Sequence, residues 1–391
     1  MRAASPALVV RSAAIVARGL RDLARHSNWL IKRVPTGHSP RLAVSPAGQV
    51  AAVTRLRAQG TYRVAIYDIE SGVLSQTLSL PGETAVCPPE TPATLAWSAT
   101  GQELVAAWGG WRSELHLFDL AGKRVAGTFG SFSNFPTSLA WSERGKYFAA
   151  ASAGGSEARL RIWRAAPESA GPVLFSEKKV CEAGASAWSR WRQPDASVGQ
   201  ATGESLAVPV TAVSADAEPD DSAFWGFGCT AFSPDETQLA SAVETEGDWT
   251  DDAIVLLEIP SLRKRGLWHA QGHVTDMAWT HDGGKLIFCA AGQAFRLSLE
   301  NAEPQGGEPE SLPFGAELCA CHPHLPICLC FSSWLKSSAK GRLFLVDLQR
   351  LEVFDEHAAE GIGDLCWGLD GSKAYAMTSD GLAYIYEPPP L

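Results

Sequence analysis

The chain has 391 residues, 46% hydrophobic and 19% charged, so it is long enough to bury large cores and too apolar to be intrinsically disordered. Acidic residues outnumber basic ones by 43 to 33, and the net charge of −10 argues against a nucleic-acid-binding protein. No apolar run approaches the roughly 20 residues of a membrane-spanning helix, and the longest candidate, residues 7–16, is interrupted by Arg11. We therefore expect no nucleic-acid partner and no transmembrane segment.

The nine Cys are scattered along the chain, and several lie within apolar runs, such as Cys289 in LIFCAA. Reduced thiols that serve as small apolar side chains show this distribution, whereas disulfides are typical of smaller secreted chains. We therefore expect an intracellular protein that is located in the cytoplasm.

The first segment, residues 1–27, contains five Arg and a single acidic residue, Asp22. On a helix the basic and apolar residues fall on opposite sides, with Arg11, Arg18, Arg21 and Arg25 facing away from Val9, Val16, Leu20 and Leu23. This pattern predicts a short basic amphipathic helix. Three interpretations remain open: a helix packed on the rest of the protein, a contact of residues 7–25 with a membrane surface or a partner, and an organelle-targeting presequence.

From residue 28 onward, one pattern of strands recurs seven times. An apolar strand ends in a polar turn, a second apolar strand follows at once, and a third apolar and a fourth, more polar strand complete the unit. The copies, such as LAWSATGQELVAA and LAWSERGKYFAAA, lie around Ser45, Ser98, Ser142, Ser233, Thr280, Cys321 and Gly368. Their spacing is about 41–53 residues, apart from one interval of about 91, which is typical of propeller blades. The sequence therefore predicts an all-β protein, a seven-bladed β-propeller of four-stranded antiparallel blades.

The last repeat unit ends with its third strand, because Tyr386 is followed only by EPPPL. A candidate for the missing strand lies at the other end of the repeat region, in NWLIKRV at residues 28–34. We therefore predict that residues 28–34 pair onto the last blade and close the ring, so that residues 28–391 form one domain.

The segment GHVTDMAWTHDGGKLI, residues 272–287, resembles the opening of a WD repeat, with its Gly-His pair, Asp276 and the Trp-Thr-x-Asp-Gly turn. Asp364 repeats the position of Asp276 in the last unit, and the resemblance covers roughly residues 28–391 without the long insertion. The Trp-Asp pair that ends a WD repeat is absent and is replaced by pairs such as Tyr67-Asp68. The hydrogen-bond network of the family is therefore not expected in every blade.

The interval of about 91 residues contains an insertion, residues 181–226, that is rich in Ala, Ser, Asp and Pro. Its composition predicts a mobile loop rather than a further blade, because no hydrophobic hairpin is present. The insertion is open to interpretation as a tolerated surface loop or as a partner-binding or lid segment.

The run from Cys319 to Cys330 contains four Cys and two His, a set of side chains that zinc would accept. The repeat alignment places Cys319 at a small core position, shared with Ala96, and places Cys328 and Cys330 in a second strand. We therefore favour a core interpretation, with a metal-binding propeller as the alternative, and we expect no metal or other cofactor.

Enzyme motifs such as a nucleophile elbow, a His-Glu-x-x-His pair or a phosphate loop do not occur in the sequence. Several Trp outside the core positions lie in polar connections between second and third strands, which leave a propeller on one face. The candidate partner-binding residues are Trp108, Trp111, Arg112, Asp248, Trp249, Asp251, Trp334 and Lys336. We expect a non-enzymatic scaffold that binds a protein or peptide partner within a larger complex. The alternative is a hydrolase or lyase with its site at the central channel.

Overall fold

The computed structural model describes residues 29–36, 42–55, 62–79, 94–109, 113–132, 136–152, 157–164, 173–181, 190–192, 224–245, 252–299, 308–333 and 341–388. These residues form strands, turns and short connections, without a helix. The predicted helix of residues 1–27 lies outside the described residues.

The strands form seven antiparallel sheets. The first two sheets contain β2 (Leu42–Val44), β3 (Gln49–Arg55), β4 (Tyr62–Asp68) and β5 (Leu74–Ser79), then β6 (Thr94–Trp97), β7 (Glu103–Gly109), β8 (Ser113–Asp119) and β9 (Arg124–Phe132). The next two contain β10 (Pro136–Trp141), β11 (Tyr147–Ser152), β12 (Glu157–Arg164), β13 (Val173–Cys181) and β14 (Arg190–Arg192), then β15 (Phe224–Phe232), β16 (Gln238–Thr245), β17 (Asp252–Glu258) and β18 (Lys264–His269). The fifth and sixth contain β19 (Val274–Trp279), β20 (Lys285–Ala290), β21 (Gln293–Ser298) and β22 (Glu310–Ser311), then β23 (Leu318–Cys321), β24 (Ile327–Ser332), β25 (Arg342–Asp347) and β26 (Glu352–Ala358). The seventh contains β27 (Ile362–Trp367), β28 (Ala374–Thr378), β29 (Leu382–Tyr386) and β1 (Trp29–Arg33).

The seven sheets are the blades of a propeller, and their first strands contact one another in a closed ring around the axis. Each first strand runs toward the face that carries the turns between first and second strands, here called the hairpin face. The connections between second and third strands leave on the opposite face, here called the loop face. The seven-bladed fold predicted from the repeat is confirmed.

Strand β1 closes the ring by pairing antiparallel with β29, with Trp29 opposite Tyr386 and Arg33 opposite Leu382. The predicted closure by residues 28–34 is therefore confirmed. The seventh blade thus combines three strands from the end of the repeat region with one strand from its beginning, and this pairing holds the two ends of the ring together.

The third blade differs from the prediction, because it has five strands instead of four. Its fifth strand, Arg190–Arg192, pairs with Lys179, Lys178 and Glu177 of β13 and lies within the predicted loop of residues 181–226. Strand β13 ends at Cys181 and β15 begins at Phe224, close to the predicted bounds of about 181 and 226. The physical reason for the fifth strand is that the outer strand of a blade has a free edge, which a short segment of low apolar content can extend.

Seven apolar cores lie in the seams between neighbouring blades of the described structure. In β11, for example, Ala149 and Ala151 face the fourth blade, whereas Phe148 and Ala150 face the second blade. Because both faces of a blade are buried, the inner strands are continuously apolar instead of alternating. Small Ala side chains in the second strands let neighbouring blades approach closely near the axis.

In the first five blades, a Ser or Thr follows the first strand and begins a tight hairpin turn. Ser98 Oγ accepts a hydrogen bond from Glu103 N at 3.0 Å, and Ser142 Oγ accepts one from Tyr147 N at 2.9 Å. In the sixth blade, His322 occupies this position, since its N–H donates to the carbonyl of Ile327. The sequence alignment at Cys321 was therefore wrong by one residue, and Ala320, not Cys319, is the counterpart of Ala96.

Candidate functional site

The predicted partner-binding residues were assigned to connections between second and third strands. Trp108 lies at the end of β7, within the second strand of its blade and not in the connection as predicted, and only its backbone is described. The other seven candidates, Trp111, Arg112, Asp248, Trp249, Asp251, Trp334 and Lys336, lie outside the described residues. The strands that flank them show that their connections join second and third strands of the second, fourth and sixth blades. Topology therefore brings these three connections to one face.

The central channel opens on the hairpin face into a cavity of about 390 Å³. First strands and hairpin turns of all seven blades line it, so residues that are far apart in sequence meet there. Its walls are mainly apolar and include Trp141, Phe232 and Leu369, of which Leu369 is 43% exposed. Sequence reasoning missed this cavity, because its lining residues were assigned to the core or to turns.

Three of the four equivalent Trp hold neighbouring blades together. The indole Nε1 of Trp97 donates to the carbonyl of Ala43 at 2.9 Å, and those of Trp279 and Trp367 donate to the preceding blade in the same way, to Ala231 and Ala320, both at 3.0 Å. The fourth, Trp141, also lines the cavity, but its Nε1 is buried without an acceptor among the described residues. A buried donor without a partner is costly.

Polar groups in the cavity wall are few. Glu143 and Asp364 are the only acidic side chains among its described lining residues, which include neither Lys nor Arg. Burial raises the pKa of Glu143, an effect that nearby His324 and Arg144 oppose. His281 contributes an Nδ1 atom that is buried without a partner among the described residues. The cavity therefore combines apolar walls with negative charge.

Two equivalent carboxylates join blades next to the channel. Asp276 Oδ2 accepts from the N–H of Cys319 in the sixth blade at 2.8 Å, and Asp364 Oδ2 accepts from the N–H of Val44 in the first blade at 2.6 Å. Burial raises the pKa of Asp276 to about 7 and that of Asp364 to about 6. Such values also suit general acid–base groups. Here the two carboxylates are occupied by backbone donors of neighbouring blades, which is a structural role.

We expect Asp276 to make the protein less stable as the pH rises from about 4 to about 7. In this range the folded chain holds a proton that the unfolded chain, with an ordinary pKa of 3.8, has lost. Urea unfolding at several pH values should therefore show a flatter profile for Asp276→Asn than for the parent protein. The slope is the readout, because the amide also loses an acceptor and lowers the stability at every pH.

The control for this experiment is Asp370→Asn on the hairpin face. Hydrogen bonds from Ser372 hold the pKa of Asp370 below its usual range, so its titration affects stability below pH 4. The profile of this variant between pH 4 and 7 should match that of the parent protein. A profile of Asp276→Asn with the parental slope would contradict the assignment.

A contact between His273 and a carboxylate joins the fourth and fifth blades. His273 Nδ1, from the Gly-His pair, lies 2.9 Å from Asp252 Oδ2, which also accepts from the N–H of Val274 at 2.8 Å. Asp252 is buried at the start of β17, so this carboxylate ties the beginning of the fifth blade to the fourth.

The Cys/His run divides between two environments. Cys319, Cys328 and Cys330 are buried in the apolar core between the fifth and sixth blades, where the thiol of Cys328 and burial raise the pKa of Cys330. His322 faces the other way, toward the seventh blade. No three His, Cys, Asp or Glu of the described residues are grouped so that they could hold a metal ion. The thiols thus have the core position that the sequence favoured.

His322 connects the hairpin turn of the sixth blade to that of the seventh by a hydrogen bond. Its Nδ1 accepts from the N–H groups of His324 and Leu325, at 2.9 and 3.0 Å, so the proton lies on Nε2, which donates to the carbonyl of Gly371 at 3.1 Å. Burial lowers the pKa of His322 to about 4. The ring is therefore neutral at physiological pH, and it packs against Trp367.

Within the described ranges, no helix has the length and apolar character that crossing a membrane requires.

No family model matches the sequence, and no curated protein matches it. Solved structures do resemble it. A chain in the crystal structure of the Mitotic Checkpoint Complex is similar over 92% of this chain and 95% of that one, with a TM-score of 0.58 and 12% identity. The β-propeller domain of Cps50 (Swd1) from Myceliophteria thermophila is similar over 92% of this chain and 99% of that one, with a TM-score of 0.57 and 14% identity.

A third similar structure is hydrazine synthase from Kuenenia stuttgartiensis, with a TM-score of 0.58 and 12% identity over 91% of this chain and 96% of that one. At such low identity, likeness in structure establishes the fold and leaves the function open. The chain is therefore a seven-bladed β-propeller whose fold is similar to that of these structures.

Proposed function

We propose that this propeller is a non-enzymatic scaffold that binds a protein or peptide partner on its loop face. The observation that carries the proposal is that three Trp-bearing connections, residues 110–112, 246–251 and 334–340, follow second strands of alternate blades and leave on the same face. Trp next to Arg and Asp is the composition of interface hot spots. The likeness to propellers solved in complexes agrees with this function.

Three ionisable groups next to the channel have structural partners, which favours the scaffold over an enzyme that would use these groups. The carboxylates of Asp276 and Asp364 accept from backbone N–H groups, and His322 is hydrogen-bonded through both ring nitrogens. Groups engaged in this way hold blades together and are not free to transfer protons to a substrate. We also propose that the protein works in the cytoplasm, since the seven Cys whose side chains the structure describes are free thiols.

We expect Trp111→Ala, Trp249→Ala and Trp334→Ala each to weaken partner binding by roughly 30-fold or more while leaving the thermal unfolding temperature unchanged. Truncation of an aromatic hot-spot residue typically costs about 2 kcal/mol, which corresponds to this factor. The partner is first captured with the full-length protein and identified by mass spectrometry, and its affinity for each variant is then measured by calorimetry.

The matched control is Val73→Ala, which removes an apolar side chain that is 59% exposed in a turn on the hairpin face. This variant should bind the partner like the parent protein. Asp248 and Asp251 should attract a basic partner, so association should slow at high salt. Three Trp variants with parental affinity, or a small molecule captured in place of a protein, would contradict the proposal.

A further inference from the structure

The cavity on the hairpin face has the properties of a binding site that the loop-face proposal leaves unused. Its walls are mainly apolar, and its acidic side chains among the described residues are Glu143 and Asp364. Such a cavity suits a peptide with apolar and basic side chains. An Arg guanidinium additionally stacks well on Trp rings and pairs with carboxylates.

The strand register of the seventh blade places the first residue of β1 level with Trp367, a residue of the cavity wall. Trp29 pairs with Tyr386, Tyr386 with Ala374, and Ala374 with Trp367, which lines the cavity. Three strand spacings of about 4.8 Å separate Trp29 from Trp367, a distance of about 14 Å. The chain that precedes Trp29 therefore enters the propeller on the hairpin face, close to the cavity.

The sequence before Trp29 has the matching chemistry. It contains five Arg and one acidic residue, together with the apolar residues Val9, Val16, Leu20 and Leu23. Arg25 precedes Trp29 by four residues, and four extended residues span about 14 Å. In an extended chain, Arg25 is thus just able to reach the cavity. Arg21 and Arg18 are separated from Trp29 by more residues and reach it easily.

We propose that residues 1–27 are an intramolecular ligand of this propeller and bind in the cavity on the hairpin face. Their Arg side chains pair with the carboxylate of Glu143 at the exposed mouth, and their apolar side chains contact Phe232 and Leu369.

The test measures binding of a fluorescein-labelled peptide of residues 1–27 to a chain that lacks residues 1–26 and retains β1. We expect saturable binding in fluorescence anisotropy, and at least about 10-fold weaker binding to the full-length chain, whose own segment competes at high effective concentration. In the truncated chain, Glu143→Lys should weaken peptide binding at least about 5-fold, because it places a positive charge opposite the Arg side chains.

The control is Glu360→Lys in the truncated chain, which makes the same charge change at an exposed position between β26 and β27, on the loop face. It should leave peptide affinity unchanged. A peptide in which Arg18, Arg21 and Arg25 are replaced by Glu should bind Glu143→Lys more tightly than it binds the parental truncated chain. Both variants are checked for parental unfolding temperatures first.

The proposal would be overturned by a truncated chain that does not bind the peptide, or by equal effects of Glu143→Lys and Glu360→Lys. It would also be overturned if the peptide bound vesicles containing phosphatidylserine but not the truncated chain, since residues 1–27 would then act on a membrane surface.

Discussion

A chain that lacks residues 1–34 is expected to unfold at a temperature at least about 6 °C lower than a chain that lacks residues 1–26, or to fail to fold. The longer deletion removes β1, which forms the outer edge of the seventh blade. It also removes Trp29, whose ring lies 5.1 Å from that of Tyr386 and 5.8 Å from that of His357. Removing a packed Trp alone costs on the order of 3 kcal/mol, and a large domain loses about 2–4 °C per kcal/mol.

The chain that lacks residues 1–26 is the control, because it keeps every strand of the ring. Thermal unfolding followed by circular dichroism compares the two truncations, and size-exclusion chromatography detects association through the exposed edge of β29. Equal unfolding temperatures would contradict the role of β1 in closing the ring. The same comparison shows that the chain used in the peptide-binding test is folded.

The second large effect is expected at Gly371, where Ala should lower the free energy of unfolding by about 3 kcal/mol or more. Gly371 has a φ of +69°, a conformation that L side chains adopt only with strain. A Cβ atom there would also overlap the ring of His322, which is buried and is held by hydrogen bonds to its own turn. The ring can move only by losing these bonds and its contact with Trp367.

The variant Gly145→Ala distinguishes the effect of backbone strain from the effect of the overlap with His322. Gly145 occupies the equivalent position in the hairpin turn of the third blade, with a φ of +71°, and a Cβ atom there would have no neighbour within 4 Å. Only the backbone strain remains, so this variant should lose about 1 kcal/mol. Urea unfolding of both variants measures the difference. Equal losses would show that the turn of the seventh blade relaxes without disturbing His322.

The two proposed binding regions use opposite faces and therefore make separate predictions. Variants of Trp111, Trp249 and Trp334 test the loop face, whereas Glu143→Lys tests the hairpin face. If both proposals hold, the propeller has one surface for a partner and one for its own basic segment. Because all seven blades line the cavity, a ligand bound there would contact every blade of the ring.

Local sequence was sufficient to predict the fold, because each blade repeats the same short pattern. Apolar strands joined by turns such as Trp-Ser-x-x-Gly recur at blade spacing, and the seventh copy lacks a strand that NWLIKRV supplies. The core positions of Trp97, Trp279 and Trp367 followed from the same repeat. These features depend on hydrophobic period and turn chemistry, which neighbouring residues in the chain determine.

Only the tertiary structure decided how the blades meet. The acceptor of a Trp Nε1 is a backbone carbonyl of the preceding blade, and a carbonyl has no residue signature, so nothing in the sequence distinguishes Trp141 from its three partnered counterparts. The fifth strand of the third blade depends on a free edge, and the register of the sixth blade depends on His322 closing its turn. The cavity arises where seven distant segments converge on one axis, and this convergence exists only in three dimensions.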